Sequence, residues 1–201
     1  MTNIAPHIEL VLGPMWSGKT SELIRRRRVY EAADLMVQCF KPKKDDRYDQ
    51  KYIVSHDGSS IEATPVGSVD EFLGYLKRET DIVIWEEVQF MDKNLASIVD
   101  NLVAEGRITA AVVAGLHRNA NRDLWPTVEA FMRVADNYTF LKAMCRYKET
   151  PNAKVCGATA NDTVFLGEPP KTGDRQLIMV GAEDLYSPRC RLHYNLFVSQ
   201  Q

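Results

Sequence analysis

One stretch limits the possible folds more than any other: residues 8 to 28, IELVLGPMWSGKTSELIRRRR. An apolar run of strand length breaks at Gly13 and resumes after Lys19 and Thr20 as a helix former. The break, Gly13-Pro14-Met15-Trp16-Ser17-Gly18-Lys19-Thr20, fits the phosphate-loop pattern G-x-x-x-x-G-K-[ST]. In that pattern glycines let successive backbone N–H groups turn inward on a phosphate. Lys19 then reaches the β/γ-phosphates and Thr20 a magnesium ion. A strand before the loop and a helix after it are the context the motif requires.

The chain continues in the same alternation. LMVQCF (35 to 40), IVIW (82 to 85) and ITAAVVAG (108 to 115) read as buried strands. Between the runs lie the helical stretches SELIRRRRVYEAA, VDEFLGYLKRE and KNLASIVDNLVAEG, the last closed by Gly106 as a C′ residue. Strands and helices taking turns predict an α/β fold, a parallel sheet flanked by helices. Near residue 143 the character changes to scattered cysteines, the Gly/Pro-rich GEPPKTG and short strand-like pieces such as TVFL and QLIMV. We expect a P-loop, ATP-binding domain over residues 1–143 and a small metal-pinned module over 144–201.

With 201 residues and 45% hydrophobic content, the chain can form one sizeable core. The net charge of -2 supplies no global attraction to nucleic acid or to an anionic membrane. The run Arg25 to Arg28 does not alter this, because consecutive helical residues point around the whole cylinder. These arginines are expected on a solvated, salt-bridged surface. No apolar stretch approaches the length of a membrane span and the first residues lack the pattern of a signal peptide, so a cytoplasmic location is expected. Three of the four cysteines, Cys145, Cys156 and Cys190, lie in the last 60 residues, which in a reducing compartment suggests metal before disulfide. Cys39, within an apolar strand, reads as core.

DIVIWEEVQF (81 to 90) ends a buried strand in two adjacent carboxylates. The C-terminal ends of such strands form the rim where α/β sheets bind ligands. One of Glu86 and Glu87 could hold magnesium while the other points oppositely, toward a second substrate. Solvated loop glutamates are the alternative reading of the pair taken alone.

VLGPMWSGKTSEL, KKDDRYD (43 to 49), SHDG (55 to 58), EEVQF, AGLHRNANRDLWP (114 to 126), LKAMC (141 to 145) and GAEDLYSPRCRLH (181 to 193) stand in the order and about the spacing found in zinc-containing, P-loop thymidine kinases. The chain resembles that family from residue 8 to 194. The resemblance implies transfer of the ATP γ-phosphoryl group to the 5′-hydroxyl of thymidine, with deoxyuridine as a further substrate, giving the monophosphate and ADP. It implies Glu87 as catalytic base, Glu86 beside magnesium, and Arg47 of Asp45-Asp46-Arg47 near the transferred phosphate. Val88 and Gln89 would border the nucleotide with them.

The same resemblance implies a nucleoside clamp formed by the backbone of a lasso loop, here Leu177, Ile178, Met179, Val180 and Gly181 with Tyr186. Met15, Leu116, Ala120 and Trp125 would lie near the sugar and base. It further implies a structural zinc on Cys145, Cys156, Cys190 and His193, and a homotetramer. On the residues alone, Arg47 reads as a surface ion pair, QLIMV as a core strand, Tyr186 as packing, and Cys145 and Cys156 as buried thiols.

Three features depart from the family. Glu86 replaces an aspartate. Ala120 stands where a base-contacting phenylalanine is usual, and Trp125 where a later one is. Ten residues separate Cys145 from Cys156 where the family has two, while Cys190-Arg-Leu-His193 keeps a Cys-x-x-His spacing. Loss of one ring and enlargement of another predict a reshaped pocket, compatible with a broader deoxynucleoside kinase. Loss of the metal is expected to affect the loop around 177 to 186 and to leave the phosphate loop largely intact. Two further readings stay open: a zinc-bearing P-loop ATPase acting on nucleic acid, which should show a basic surface, and a regulatory nucleotide-binding protein without catalysis.

Overall fold

Branched apolar residues in short uninterrupted runs favour strands buried on both faces, and all four such runs become neighbours in one sheet. The computed structural model describes residues 4–43, 52–55, 58–167 and 185–200. Strands β1 (His7–Gly13), β2 (Val37–Pro42), β6 (Ile82–Trp85) and β7 (Ala110–Leu116) form its centre. The full order is β5-β2-β6-β7-β1-β8, with β5 (Thr64–Val66) and β8 (Asn137–Phe140) at the edges. Every pairing is parallel, and β1 runs level with β7 from His7 opposite Ala110 to Gly13 opposite Leu116.

Alternation along each strand sorts the core into two layers. Leu10, Leu12, Val83, Trp85, Ala111 and Val113 pack against α3 (Leu95–Ala104), α4 (Pro126–Met132) and Phe72 of α2 (Val69–Tyr75). Val11, Ile82, Ile84, Val112 and Ala114 pack on the other face against Leu23 and Ile24 of α1 (Lys19–Glu31). Phe40, Phe72 and Trp85 lock the first layer, with ring centroids 4.9 to 5.4 Å apart. Truncating the fully buried Trp85 to alanine would cost about 3–5 kcal/mol. A hairpin of β3 (Tyr52–Val54) and β4 (Ser60–Glu62) covers Cys39 from the α1 side through Ile53 and Ile61.

Two local expectations are modified. The helical stretch beginning at Val69 ends at Tyr75, short of the pattern's length. The Gln38 amide stops it, donating to the Tyr75 carbonyl and accepting from the Lys77 N–H and the Thr80 hydroxyl. Arg107 then takes the carbonyls of Leu76, Lys77 and Arg78. Within the arginine run, Arg25 and Arg27 are surface pairs to Glu22 and Glu31, but Arg26 is buried between Glu9 and Glu22, donating also to Thr139 of β8. Gly106 does close α3, at φ 68°.

The C-terminal part forms two small antiparallel ribbons. One pairs β9 (Ala143–Met144) with β10 (Thr159–Ala160), the other β11 (Asp162–Phe165) with β12 (Tyr186–Arg189). Helix α5 (Arg191–Val198) follows. Ala143, Cys145, Ala160 and Cys190 form a separate small core, on which Tyr147 and Trp16 of the phosphate loop pack. No described helix is long and apolar enough to cross a membrane.

Candidate active site and metal centre

The phosphate loop lies between the C-terminal end of β1 and the start of α1. Gly13 is required by space, because a Cβ there would stand 2.8 Å from the Leu141 carbonyl. Gly18, at φ 83°, supplies the left-handed turn that starts α1. Trp16 holds a left-handed backbone at φ 64° without being glycine. Lys19 is buried and folds its ammonium over the loop, 3.0 Å from the Pro14 carbonyl and 3.4 Å from that of Gly13.

Glu86 and Glu87 leave the end of β6 and are both buried. Glu86 continues the strand, its N–H bonded to the Phe40 carbonyl, and its carboxylate accepts from the Thr20 hydroxyl at 2.5 Å. Glu87 adopts the left-handed region, φ 50° and ψ 39°, and turns the chain into a short 3₁₀ segment, Val88–Phe90. Such a conformation in a non-glycine residue costs of order 1–3 kcal/mol and is characteristic of functional positions. It sends the two neighbouring carboxylates to different partners. Gln89 donates to Glu87 and accepts from the Leu116 N–H at 3.1 Å, tying the end of β6 to the end of β7. Gly115 makes room for this amide: a Cβ there would meet the Gln89 Oε1 at 2.9 Å. Val88 is fully buried in the sheet core.

His117, just beyond β7, has its ring 6.4 Å from that of Phe140. Burial pushes its pKa down, with the Arg118 and Lys19 charges acting in the same direction. The segment beyond it is held by an Arg118–Leu124 bridge and by Asn119, whose side-chain oxygen accepts from the N–H groups of Asn121 and Asp123. Ala120 offers its carbonyl to the Tyr194 hydroxyl at 2.8 Å. Trp125 is buried edge-on to Phe90, 6.1 Å between centroids.

Tyr186 begins β12 and packs on Phe165 across the ribbon at 5.0 Å. Met15 is joined to the C-terminal module by its N–H, which donates to the Thr163 hydroxyl at 3.1 Å. Asp45, Asp46 and Arg47, and Leu177, Ile178, Met179, Val180 and Gly181, lie outside the described residues.

Cys145, Cys156, Cys190 and His193 converge with all their donor atoms within 4.8 Å of one another. The ten-residue spacing between Cys145 and Cys156 does not break the set. Cys145 and Gly157 bond back to Ala158 and Cys145, and the Cys156 N–H reaches the Tyr147 carbonyl at 2.8 Å, so the segment closes on itself and returns Cys156 to the site. Gly157 makes the return at φ 67°. Cys190 caps α5, His193 follows within its first turn, and the Tyr147 ring stacks on the imidazole at 4.0 Å. The Sγ atoms of Cys145 and Cys190 stand 3.5 and 3.3 Å from the His193 Nδ1. Tetrahedral zinc, with bonds of about 2.3 Å to sulfur and 2.0 Å to nitrogen, separates such donors by roughly 3.6 Å. Three thiols and one imidazole at these distances fit a closed, structural zinc site. Burial pushes the Cys145 thiol up. Burial is also the largest influence on Cys190, but the His193 N–H and the neighbouring thiols outweigh it and hold that thiol below its usual range.

Sequence reasoning singled out the phosphate loop, the two glutamates and the metal set, and the structure brings Thr20 to Glu86 and the four donors together. It did not single out Thr163, Asp162, Arg122, Arg146 or Tyr194. Their only local signal was membership in short polar stretches, since each acts through a partner distant in the chain. The family model described as thymidine kinase matches residues 6–194.

Proposed function

The chain belongs to the thymidine kinase family, and from that premise we propose that it transfers the γ-phosphoryl group of ATP to the 5′-hydroxyl of thymidine, yielding dTMP and ADP. The bond between the Thr20 hydroxyl and Glu86 is the observation that carries this reading, because it unites the phosphate loop and the acidic end of β6 in one site. The loop N–H groups and Lys19 bind the β/γ-phosphates and offset the charge that shifts to the leaving oxygen. Thr20 and Glu86 present hard oxygen donors suited to magnesium, which when bound neutralises phosphate charge. Glu87, held by Gln89, orients the 5′-hydroxyl and takes its proton as the new P–O bond forms and the bond to ADP breaks.

Arg47 completes the charge neutralisation in this reading, and the backbone of Leu177 to Gly181 with Tyr186 holds the base. Met15, Leu116, Ala120 and Trp125 shape the remaining pocket. Cys145, Cys156, Cys190 and His193 hold a structural zinc, all four positions taken by protein and none left for a catalytic water. The family resemblance supports a homotetramer, which light scattering on purified protein checks. Phosphorylation assays with ATP and magnesium across thymidine, deoxyuridine, deoxycytidine and the purine deoxynucleosides test the assignment. Turnover of thymidine above the others supports it, equal turnover of several indicates a broader deoxynucleoside kinase, and no turnover of any refutes it.

A further inference from the structure

Asp162 opens β11 with a carboxylate that is 7% exposed, 40 residues beyond its principal partner. Arg122 meets it with a two-pronged fork, Nε at 3.0 Å and Nη2 at 2.8 Å, and Arg118 adds a second guanidinium at 3.8 Å. The flat of the Arg122 guanidinium lies over the Tyr194 ring, its central carbon 3.8 Å from the ring centre. Tyr194 in turn reaches back to the same segment, its hydroxyl bonding the Ala120 carbonyl. Arg122 holds this position from a left-handed backbone, φ 68°, which persists only where surroundings over-determine it. Four contacts from β11 and α5 thus converge on residues 118 to 122.

We infer that Asp162, Arg122 and Tyr194 form a latch by which the metal-bearing module sets the position of the segment carrying Ala120, and so act as positioning residues for nucleoside selection. The inference rests on the nucleoside kinase reading above. A planar fork on a buried carboxylate fixes both distance and orientation, unlike a point charge, so small changes in it should be transmitted to the segment. The latch contacts fall on residues 118 to 122, whereas the phosphate loop meets the same module through a different bond, from the Met15 N–H to Thr163. The latch therefore predicts an effect on the nucleoside constant separable from the ATP constant.

The test compares Asp162→Asn, Arg122→Lys and Tyr194→Phe with the parent protein, reading KM for thymidine, KM for ATP, kcat, and hydrogen exchange over residues 117 to 125. Asp162→Asn and Arg122→Lys should raise KM for thymidine about tenfold or more, with KM for ATP changed by less than about twofold. Tyr194→Phe keeps the ring under Arg122 and should give a smaller rise in the same constant. Exchange over the segment should quicken in all three. A lowered melting temperature with unchanged thymidine KM and unchanged exchange would overturn the latch. Should Asp162→Asn fail to fold, Tyr194→Phe alone decides. If the parent protein phosphorylates no nucleoside, the kinase reading fails, and the exchange rates still decide whether the segment is latched.

Discussion

The hydroxyl of Thr20 donates to the carboxylate of Glu86 across 66 positions of sequence, at 2.5 Å. It makes the first turn of α1 and the end of β6 parts of one oxygen-donor site. Thr20→Val keeps the shape and removes the donor, and should lower kcat about 100-fold while raising the magnesium concentration needed for half activity. Thr20→Ser should restore most of the rate. Activity titrated against magnesium checks both, and an unchanged magnesium dependence in Thr20→Val would contradict the role.

Lys19→Ala and Glu87→Gln should both abolish transfer yet differ in binding. Lys19 lies over the phosphate loop, so its loss should weaken nucleotide affinity, while Glu87→Gln keeps the shape and should leave ATP binding near the parent value. A Glu87→Gln variant retaining more than about a tenth of the rate would remove Glu87 as the base, since that role is typically worth 100-fold or more.

Gly115→Ala places a methyl group against the Gln89 amide that holds Glu87. The side chain must shift by a few tenths of an ångström, so kcat should fall while KM for ATP stays near its parent value. Steady-state kinetics separate the two, and a full kcat would show that Gln89 does not hold the base.

Metal loss should reach further than the lasso. The expectation that the phosphate loop stays intact is modified by three contacts: Trp16 packs on the cysteine core, Arg146 lies 4.8 Å over the Trp16 ring, and Met15 bonds Thr163. Chelation or Cys190→Ser should lower thermal stability, raise the nucleoside KM and also weaken ATP binding severalfold. Zinc content by elemental analysis, with calorimetric titration of ATP, checks this. One zinc per chain is expected, and a Cys156→Ser protein with full metal content would remove that ligand.

Thiol reactivity follows from burial, and acid stability from ion pairing that outweighs it. Cys39 is pushed up to about 12 by burial, so it should resist alkylation in the folded protein after metal removal and react only on unfolding. The Arg25 guanidinium holds Glu22 down at about 2. A depressed carboxyl contributes stability above its unfolded pKa and loses it as pH falls through the folded one. Glu22→Gln should thus cost about 1 kcal/mol at pH 7, after discounting for solvent screening, and only a small fraction of that near pH 2. Urea unfolding at the two pH values measures the difference.

The sequence by itself determined the phosphate loop, the parallel sheet and a Cys-x-x-His spacing suited to a metal, while the full set of four candidate donors came only from the family resemblance. The first three depend on local signals: glycines at fixed spacing, branched runs of strand length, and a Cys-x-x-His turn on α5. The tertiary structure decided what distant residues do to one another. Gln38 ends α2 where periodicity would continue it, because its amide takes the Lys77 N–H from 39 positions away. Arg26 is buried because Glu9 and Thr139 meet it from two strands, and its neighbours in the run look identical in sequence. Cys156 returns across a ten-residue gap from Cys145 through backbone bonds that no side-chain pattern records. Asp162 becomes a latch only when folding carries it to Arg122, for a carboxylate's role depends on which charge lies within about 3 Å of it.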